Sequence, residues 1–150
     1  MLNKKNISIS MMRVLLGLSS SLAIPSAFAS GGSMIAIIVT TDDPTLGNDL
    51  ATYDAQYGLP ACTISNGCLE IATPFGISNS NPSTASDVSL YVEQAHQAAP
   101  GAKILVVEAK STSWQDRYNA AHYAESLPQV AAVSSASDSK VIMEISLVLK

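Results

Sequence analysis

Charged side chains are scarce in this 150-residue chain, at 13% of the residues, whereas apolar residues make up 47%. So apolar a composition is unlike that of a disordered protein, and the length suits one ordinary globular domain. Basic residues are especially few after residue 29, with five against twelve acidic residues. Because such an acid-leaning surface repels polyanions, we expect neither nucleic acid nor anionic membrane as a partner.

The chain also lacks an apolar run long enough to cross a membrane. Its best candidate, VLLGLSSSLAI, follows two lysines and Arg13 and is too short and serine-rich for a membrane span. A basic lead, an apolar run and an Ala-Phe-Ala cleavage pattern predict a signal peptide over 1–29, cut between Ala29 and Ser30. The alternative is a buried N-terminal helix. The mature chain is therefore expected to be secreted, either extracellular or periplasmic.

Only two cysteines are present, Cys62 and Cys68, with an Asn-Gly turn between them. An even count in an exported chain favours a disulfide, and the turn can bring the two segments together. Spacing alone does not exclude a metal site, but two thiols with no histidine nearby in the sequence make a poor one. His122, on a separate helix, likewise has no partner spaced for a metal. We therefore expect no metal and no cofactor.

Hydrophobic periodicity predicts an α/β fold with a mainly parallel sheet flanked by helices. Short apolar, β-branched runs predict buried strands. Stripes at helical spacing, bounded by Asp-Pro, Gly and Ser signals, predict three helices. The predicted strands are 34–40, 103–108 and 130–134, with 69–72 or the C-terminal tail as a fourth, and the predicted helices lie near 45–57, 86–99 and 113–126.

The most informative stretch is DVSLYVEQAHQAAPGAKILVVEA, which begins at Asp87. Its first half has helical spacing, with Ser86 as the expected N-cap and a Pro-Gly pair as the stop. Its second half reads as a buried strand. The stretch is therefore predicted to be the second half of a βαβ crossover.

This stretch resembles the serine-carboxyl peptidases of the sedolisin family, which are relatives of subtilisin in fold. In members of this family, the corresponding helix and strand have roughly the sequence pattern E-x-x-L-D-x-x-W-A-H-x-x-A-P-x-A-x-I-x-L-V-E-A. Two further runs, DDPTLGNDLATYDAQYGLPACT and the two-cysteine loop, are also similar to the family. The gap-free matches in the first stretch are Leu90, Ala95, His96, Ala99, Pro100, Ala102, Ile104, Val107, Glu108 and Ala109.

The resemblance implies serine-type proteolysis at acid pH, with a Glu base and an Asp partner one helical turn apart. Two carboxyls at this spacing share a helix face and split their titrations. In this chain the Glu position holds Asp87, and the Asp position holds Tyr91, a phenol unsuited to sharing an acidic proton. The family's Gly-Thr-Ser nucleophile motif, oxyanion Asp and calcium site have no counterpart here.

Each remaining candidate residue also has a structural interpretation. Asp87 suits a helix N-terminus through the helix dipole, and His96 suits a satisfied helix histidine. Glu108 ends a strand and is expected to bond a neighbouring loop, and Trp114 is expected in the core or in a cap contact. A triad of Ser134, His96 and Asp87 lacks a nucleophile elbow and an oxyanion turn.

Three functional hypotheses follow. The first assigns 30–136 to a truncated sedolisin-like, subtilisin-like peptidase domain without activity of its own, and 137–150 to an unmatched tail, with an out-of-frame extension as the hypothesis for its origin. The second is a secreted pseudo-protease that binds peptides or a partner protease. The third is a live hydrolase with a changed site based on Ser134. Function has to be argued from the site, because a fold alone does not determine it.

Overall fold

The computed structural model describes residues 8–10, 32–135 and 144–147 of the chain. Within these residues, six strands and three α-helices form one α/β unit. In chain order they are β1 (Ser8–Ser10), β2 (Met34–Val39), α1 (Leu46–Tyr57), β3 (Leu69–Ala72), α2 (Pro82–Ala98), β4 (Lys103–Glu108), α3 (Trp114–Ser126), β5 (Val130–Ser135) and β6 (Glu144–Leu147).

The strands form a single sheet in the order β1-β6-β5-β2-β4-β3. The four strands from β5 to β3 are all parallel, and β6 and β1 extend the sheet in antiparallel fashion beyond β5. The prediction of a mainly parallel sheet flanked by helices is therefore confirmed. Strand β3 forms one edge of the sheet, because it pairs only with β4 among the described strands.

Strand β2 lies at the centre, and all six of its residues are buried. A central parallel strand is covered on both faces, which explains its unbroken apolar run. Its side chains alternate between two separate cores. Ile35, Ile37 and Val39 pack with helices α1 and α2, whereas Met34, Ala36 and Ile38 pack with α3. The molecule is thus a sheet with helices on both faces.

The start of α2 differs from the prediction of a start near Ser86. The helix begins at Pro82, after Asn81 in extended conformation, and the Asn81 side chain accepts a hydrogen bond from the Ser83 amide at 3.1 Å. Asparagine is a strong N-cap, and proline suits the first turn because that turn has no internal use for its N–H. This pair overrides the loop-like composition of 82–86. Asp87 therefore lies inside the second helical turn.

Helix α3 begins as predicted, because the Ser113 hydroxyl accepts a hydrogen bond from the Asp116 amide at 3.2 Å. Helix α1 ends at Gly58, whose φ of +67° is a left-handed cap conformation that glycine adopts without strain. The bounds of the parallel strands agree with the predicted ones to within one residue.

Two predictions fall largely outside the described residues. Of the predicted signal peptide 1–29, only 8–10 are described, as strand β1, and the cleavage site at Ala29 and Ser30 lies outside. Of the tail 137–150, only 144–147 are described, as strand β6.

Candidate functional site

Polar side chains gather where the parallel strands end. The carboxyl ends of β2, β4 and β5 meet at one edge of the sheet, and ligands of open α/β sheets bind outside this edge. Asp42 and Asp43 follow β2, Glu108 is the last residue of β4, and Ser134 is next to last in β5. This edge is therefore the candidate functional site.

Glu108 is the buried acid of this edge, with only 3% of its surface exposed. Its Oε2 accepts a hydrogen bond from the Ser78 amide at 2.8 Å, and the Ser78 hydroxyl donates to the Ala109 carbonyl at 2.6 Å. These two bonds tie the loop between β3 and α2 to the end of β4. The expectation that Glu108 bonds a neighbouring loop is confirmed.

Asp42 forms a carboxyl pair with Glu108. Burial raises the pKa of Glu108, the amide bond from Ser78 opposes the rise, and the charge and hydrogen bond of Asp42 add to it. Because a buried carboxylate lacks water and Asp42 repels it, the neutral form of Glu108 is stabilised relative to that of an isolated glutamate, and a neutral carboxyl can donate to Asp42. Glu108 therefore keeps its proton to a higher pH than an isolated glutamate does.

A second acidic group joins α1 to α2. The Ser89 hydroxyl of α2 lies 2.7 Å from Asp43 Oδ2 and 3.1 Å from Asp49 Oδ2. The Thr45 hydroxyl bridges the same two carboxyls from the other side, at 2.9 and 2.8 Å, and the Thr45 amide donates to Asp43 Oδ1. The Asp43 side chain thus accepts the amide of Thr45, the residue just before α1, and the helix dipole also favours a negative charge at this place. Further along the same interface, burial raises the pKa of Glu93, and the charges of Asp49 and Asp54 raise it further.

The positions that match the sedolisin dyad do not form an acid pair. Asp87 is exposed on α2. Tyr91, one turn later, is 8% exposed and belongs to the core between the helices and the sheet. One side chain thus faces solvent and the other lies in the interior.

The imagined triad is not assembled either. Ser134 is 1% exposed, and its hydroxyl has no hydrogen-bond partner among the described residues. Nδ1 of His96 also has no hydrogen-bond partner among the described residues. The other ring nitrogen, Nε2, lies at hydrogen-bond distance from the Pro60 carbonyl. No chain of hydrogen bonds therefore connects Ser134, His96 and Asp87.

Cys62 and Cys68 form a disulfide, as predicted. The Asn66 side chain closes the loop by accepting from the amides of Thr63 and Cys68, and Gly67 supplies the positive φ that the turn needs. His96 lies next to the disulfide, although it is 28 residues or more away in sequence. The sequence showed no histidine near the cysteines, but in the folded chain His96 lies beside them.

Exposed aromatic rings line one side of α3. Trp114 is 68% exposed and Tyr118 51%, and their rings stack at a centroid distance of 5.2 Å. His122 continues the row, 6.3 Å from Tyr118. Trp114 is therefore not in the core, which was one of the two expected places for it, because the buried face of α3 consists of small alanines, Ala120 and Ala124.

Sequence reasoning missed the partnership of Asp42 with Glu108 and the roles of Ser78 and Ser89. The Asp-Pro pair was interpreted only as a helix boundary, and Ser78 was assigned no role. The available signal was topological, since residues that follow parallel strands share one edge of the sheet.

No family model, curated protein or solved structure matches this chain. Within the described part of the chain, none of the helices is long and apolar enough to cross a membrane. The disulfide is consistent with an extracellular protein, because such bonds persist in oxidising compartments.

Proposed function

We propose that this chain is a secreted segment of a sedolisin-like serine endopeptidase domain that does not cleave peptides by itself. The proposal takes its family from the matched residues of α2 and β4. The α/β architecture and the disulfide at the expected cysteines are compatible with it. The subtilisin-like fold and the secretion are parts of the same proposal.

The main observation behind the proposed lack of activity is that Tyr91 is buried. A serine-carboxyl mechanism needs two neighbouring carboxyls, of which one holds a proton. Here the position of the partner acid is a buried tyrosine, and the position of the base is an exposed aspartate. The 150 residues also contain no Gly-Thr-Ser sequence to supply the nucleophile.

The Asp42–Glu108 pair does not replace this dyad. Glu108 is committed to the Ser78 amide, and the Ser78 hydroxyl is buried and donates to a backbone carbonyl. No exposed hydroxyl among these groups is positioned as a nucleophile next to the pair. The pair therefore serves to hold the loop before α2 and not to attack a peptide bond.

Proteolysis at acid pH tests the proposal. Residues 30–150 are incubated with unfolded casein between pH 3 and 5, and new peptide termini are counted by mass spectrometry. We expect no cleavage above that of a buffer control. Cleavage that disappears in Asp87→Ala but persists in a Glu70→Ala control would overturn the proposal in favour of a live hydrolase.

The open edge of β3 favours peptide binding as a second candidate function. The Cys68 carbonyl bonds to the Ile104 amide, so the alternation of a parallel ladder directs residues 68, 70 and 72 to β4. The N–H and C=O of Ile71 then point away from the sheet. An extended peptide adds to such an edge as a new strand. Apolar side chains around it are exposed: Ile71 by 42%, Phe75 by 40% and Ile77 by 76%.

A proline substitution tests this second function without disturbing the sheet. Ile71→Pro removes an N–H that faces outward, and proline is tolerated at such edge positions. The probe is a fluorescent six-residue peptide of alternating valine and lysine, since the acidic Glu70 lies on this edge. We expect binding that Ile71→Pro weakens about tenfold, while Ile64→Ala, at an exposed site in the disulfide loop, leaves it unchanged. No binding by the wild-type chain rejects this function and leaves the first proposal intact.

A further inference from the structure

The disulfide and His96 form a compact group of metal-binding atoms. The two sulfurs and one ring nitrogen of His96 all lie within 4.8 Å of one another. Cys62 and His96 are fully buried, and Cys68 is partly buried. Among the residues that the structure describes, no other trio of histidine, cysteine or acidic side chains is as close.

The surroundings of His96 fix which nitrogen is available. Nε2 lies 2.9 Å from the Pro60 carbonyl, which can only accept, so Nε2 carries the proton. Asp54 Oδ1 lies 3.3 Å from the same nitrogen. In the neutral imidazole Nδ1 then carries the lone pair. Nδ1 is buried and has no hydrogen-bond partner among the described residues. Metal-binding histidines are commonly held in this way by a carbonyl or carboxylate on the opposite nitrogen.

We propose that reduction of the Cys62–Cys68 disulfide converts this group into a binding site for one Zn²⁺ ion, with Cys62, Cys68 and His96 as ligands. Two thiolates and one imidazole are ligands that Zn²⁺ prefers. They leave a fourth tetrahedral position for a water molecule. Asp54 supports the site from outside, because its Oδ2 accepts from the Cys62 amide at 2.9 Å while its Oδ1 faces His96.

The reaction needs a reductant and releases protons. Two equivalents of a thiol reductant break the S–S bond, forming two cysteine thiols and one disulfide of the reductant. Both thiols then lose a proton as they bind Zn²⁺, whose oxidation state does not change. With Zn–S bonds of about 2.3 Å, the sulfurs of a tetrahedral site lie about 3.8 Å apart. The short loop between the cysteines permits this small separation.

The two forms exclude each other, so the site responds to redox state. The disulfide leaves no thiolate for the metal, and a bound metal ties up both thiolates. The disulfide form of the same reductant reverses the step: it takes two electrons from the two cysteine thiolates, which re-form the Cys62–Cys68 bond, and Zn²⁺ and two equivalents of the reductant thiolate are released. In the reduced chain, the bound Zn²⁺ thus holds the ends of this loop together in place of the disulfide.

Metal titration of the full chain tests the proposal. Protein without a histidine tag is reduced with a phosphine, desalted without oxygen, and titrated with Zn²⁺ against a chromogenic chelator. We expect one Zn²⁺ per reduced chain and none per oxidised chain. His96→Gln is expected to weaken binding at least tenfold and Asp54→Asn by about 10–100-fold, whereas His122→Gln, at the other histidine, changes nothing.

X-ray absorption of the reduced wild-type chain with Zn²⁺ keeps the test independent of how well the variants fold. The expected first shell contains two sulfurs at about 2.3 Å and one nitrogen at about 2.0 Å. A shell without sulfur overturns the proposal. So does equal binding by the oxidised and reduced chains, or equal loss in the variants of His96 and His122.

Discussion

Glu108 and Ser78 are 30 positions apart in the chain, yet the Glu108 carboxyl accepts the Ser78 backbone N–H at 2.8 Å. The bond connects the end of β4 to the loop that precedes α2. Glu108 is almost fully buried and faces a second acid, Asp42, so its pKa is raised. A structural contact is thereby made sensitive to pH.

The first prediction concerns stability against pH. An unfolded glutamate titrates near its ordinary pKa of about 4.5, and Glu108 titrates higher in the folded state. Between these two values the folded state binds more protons, so its stability falls as pH rises. The contribution is fully present below pH 4.5 and is lost as pH passes the raised pKa.

Glu108→Gln keeps the hydrogen bonds but removes the titration. We expect its free energy of unfolding to exceed that of the wild type increasingly above pH 4.5, by at most about 1.4 kcal/mol per pH unit for one proton. Urea unfolding from pH 3 to 8 measures the difference. Glu70→Gln, at an exposed position on β3, is the control and should remain parallel to the wild type. Parallel curves for Glu108→Gln as well would disprove the role of this carboxyl.

The second prediction concerns the positions that match the sedolisin dyad. Tyr91→Asp restores the acid of the family pattern but places a carboxyl in the core, so we expect a loss of about 3 kcal/mol in unfolding free energy. Asp87→Glu, on the exposed side of the same helix, should change it by less than about 0.5 kcal/mol. Thermal unfolding monitored by circular dichroism compares the two. An unchanged stability of Tyr91→Asp would mean that this position is open to solvent, contrary to the structure.

The central strands of the sheet were predictable because they are covered on both faces. The runs around Ile37, Val106 and Val133 are continuous and apolar, which is typical of central parallel strands. Caps at Ser113 and Gly58 bounded two helices by local chemistry. In each case the local signal and the tertiary packing favour the same structure.

The wrong predictions concern residues whose position depends on a tertiary contact. The position of His96 beside the cysteines depends on how α2 packs on the sheet, which no spacing in the sequence encodes. Trp114 was expected in the core or in a cap contact, but α3 packs through Ala120 and Ala124 and the ring of Trp114 is largely exposed. The start of α2 was missed for a local reason, since the Asn81-Pro82 cap was read as loop composition.

The third prediction uses the single tryptophan of the chain as a probe. Because Trp114 is largely exposed and stacks on Tyr118, we expect acrylamide to quench its emission in the folded protein almost as strongly as in urea. Tyr118→Ala should increase the quenching while changing stability by less than about 1 kcal/mol. Strong protection of the emission in the folded state would contradict the exposed aromatic row.

The last prediction concerns the disulfide. Cys62–Cys68 closes a loop with a sequence separation of six residues, so the chain-entropy estimate places its contribution near 2 kcal/mol, at the low end for disulfides. Urea unfolding of Cys62→Ala/Cys68→Ala should therefore show a loss of about this size, and a phosphine reductant should lower the wild type to the same level. The reductant must leave the double variant unchanged, since it has no disulfide to lose. If reduced wild-type protein regains stability on addition of Zn²⁺ and the double variant does not, the gain arises at the thiolates. A reduced chain as stable as the oxidised one would instead show that the Asn66 turn alone holds this loop closed.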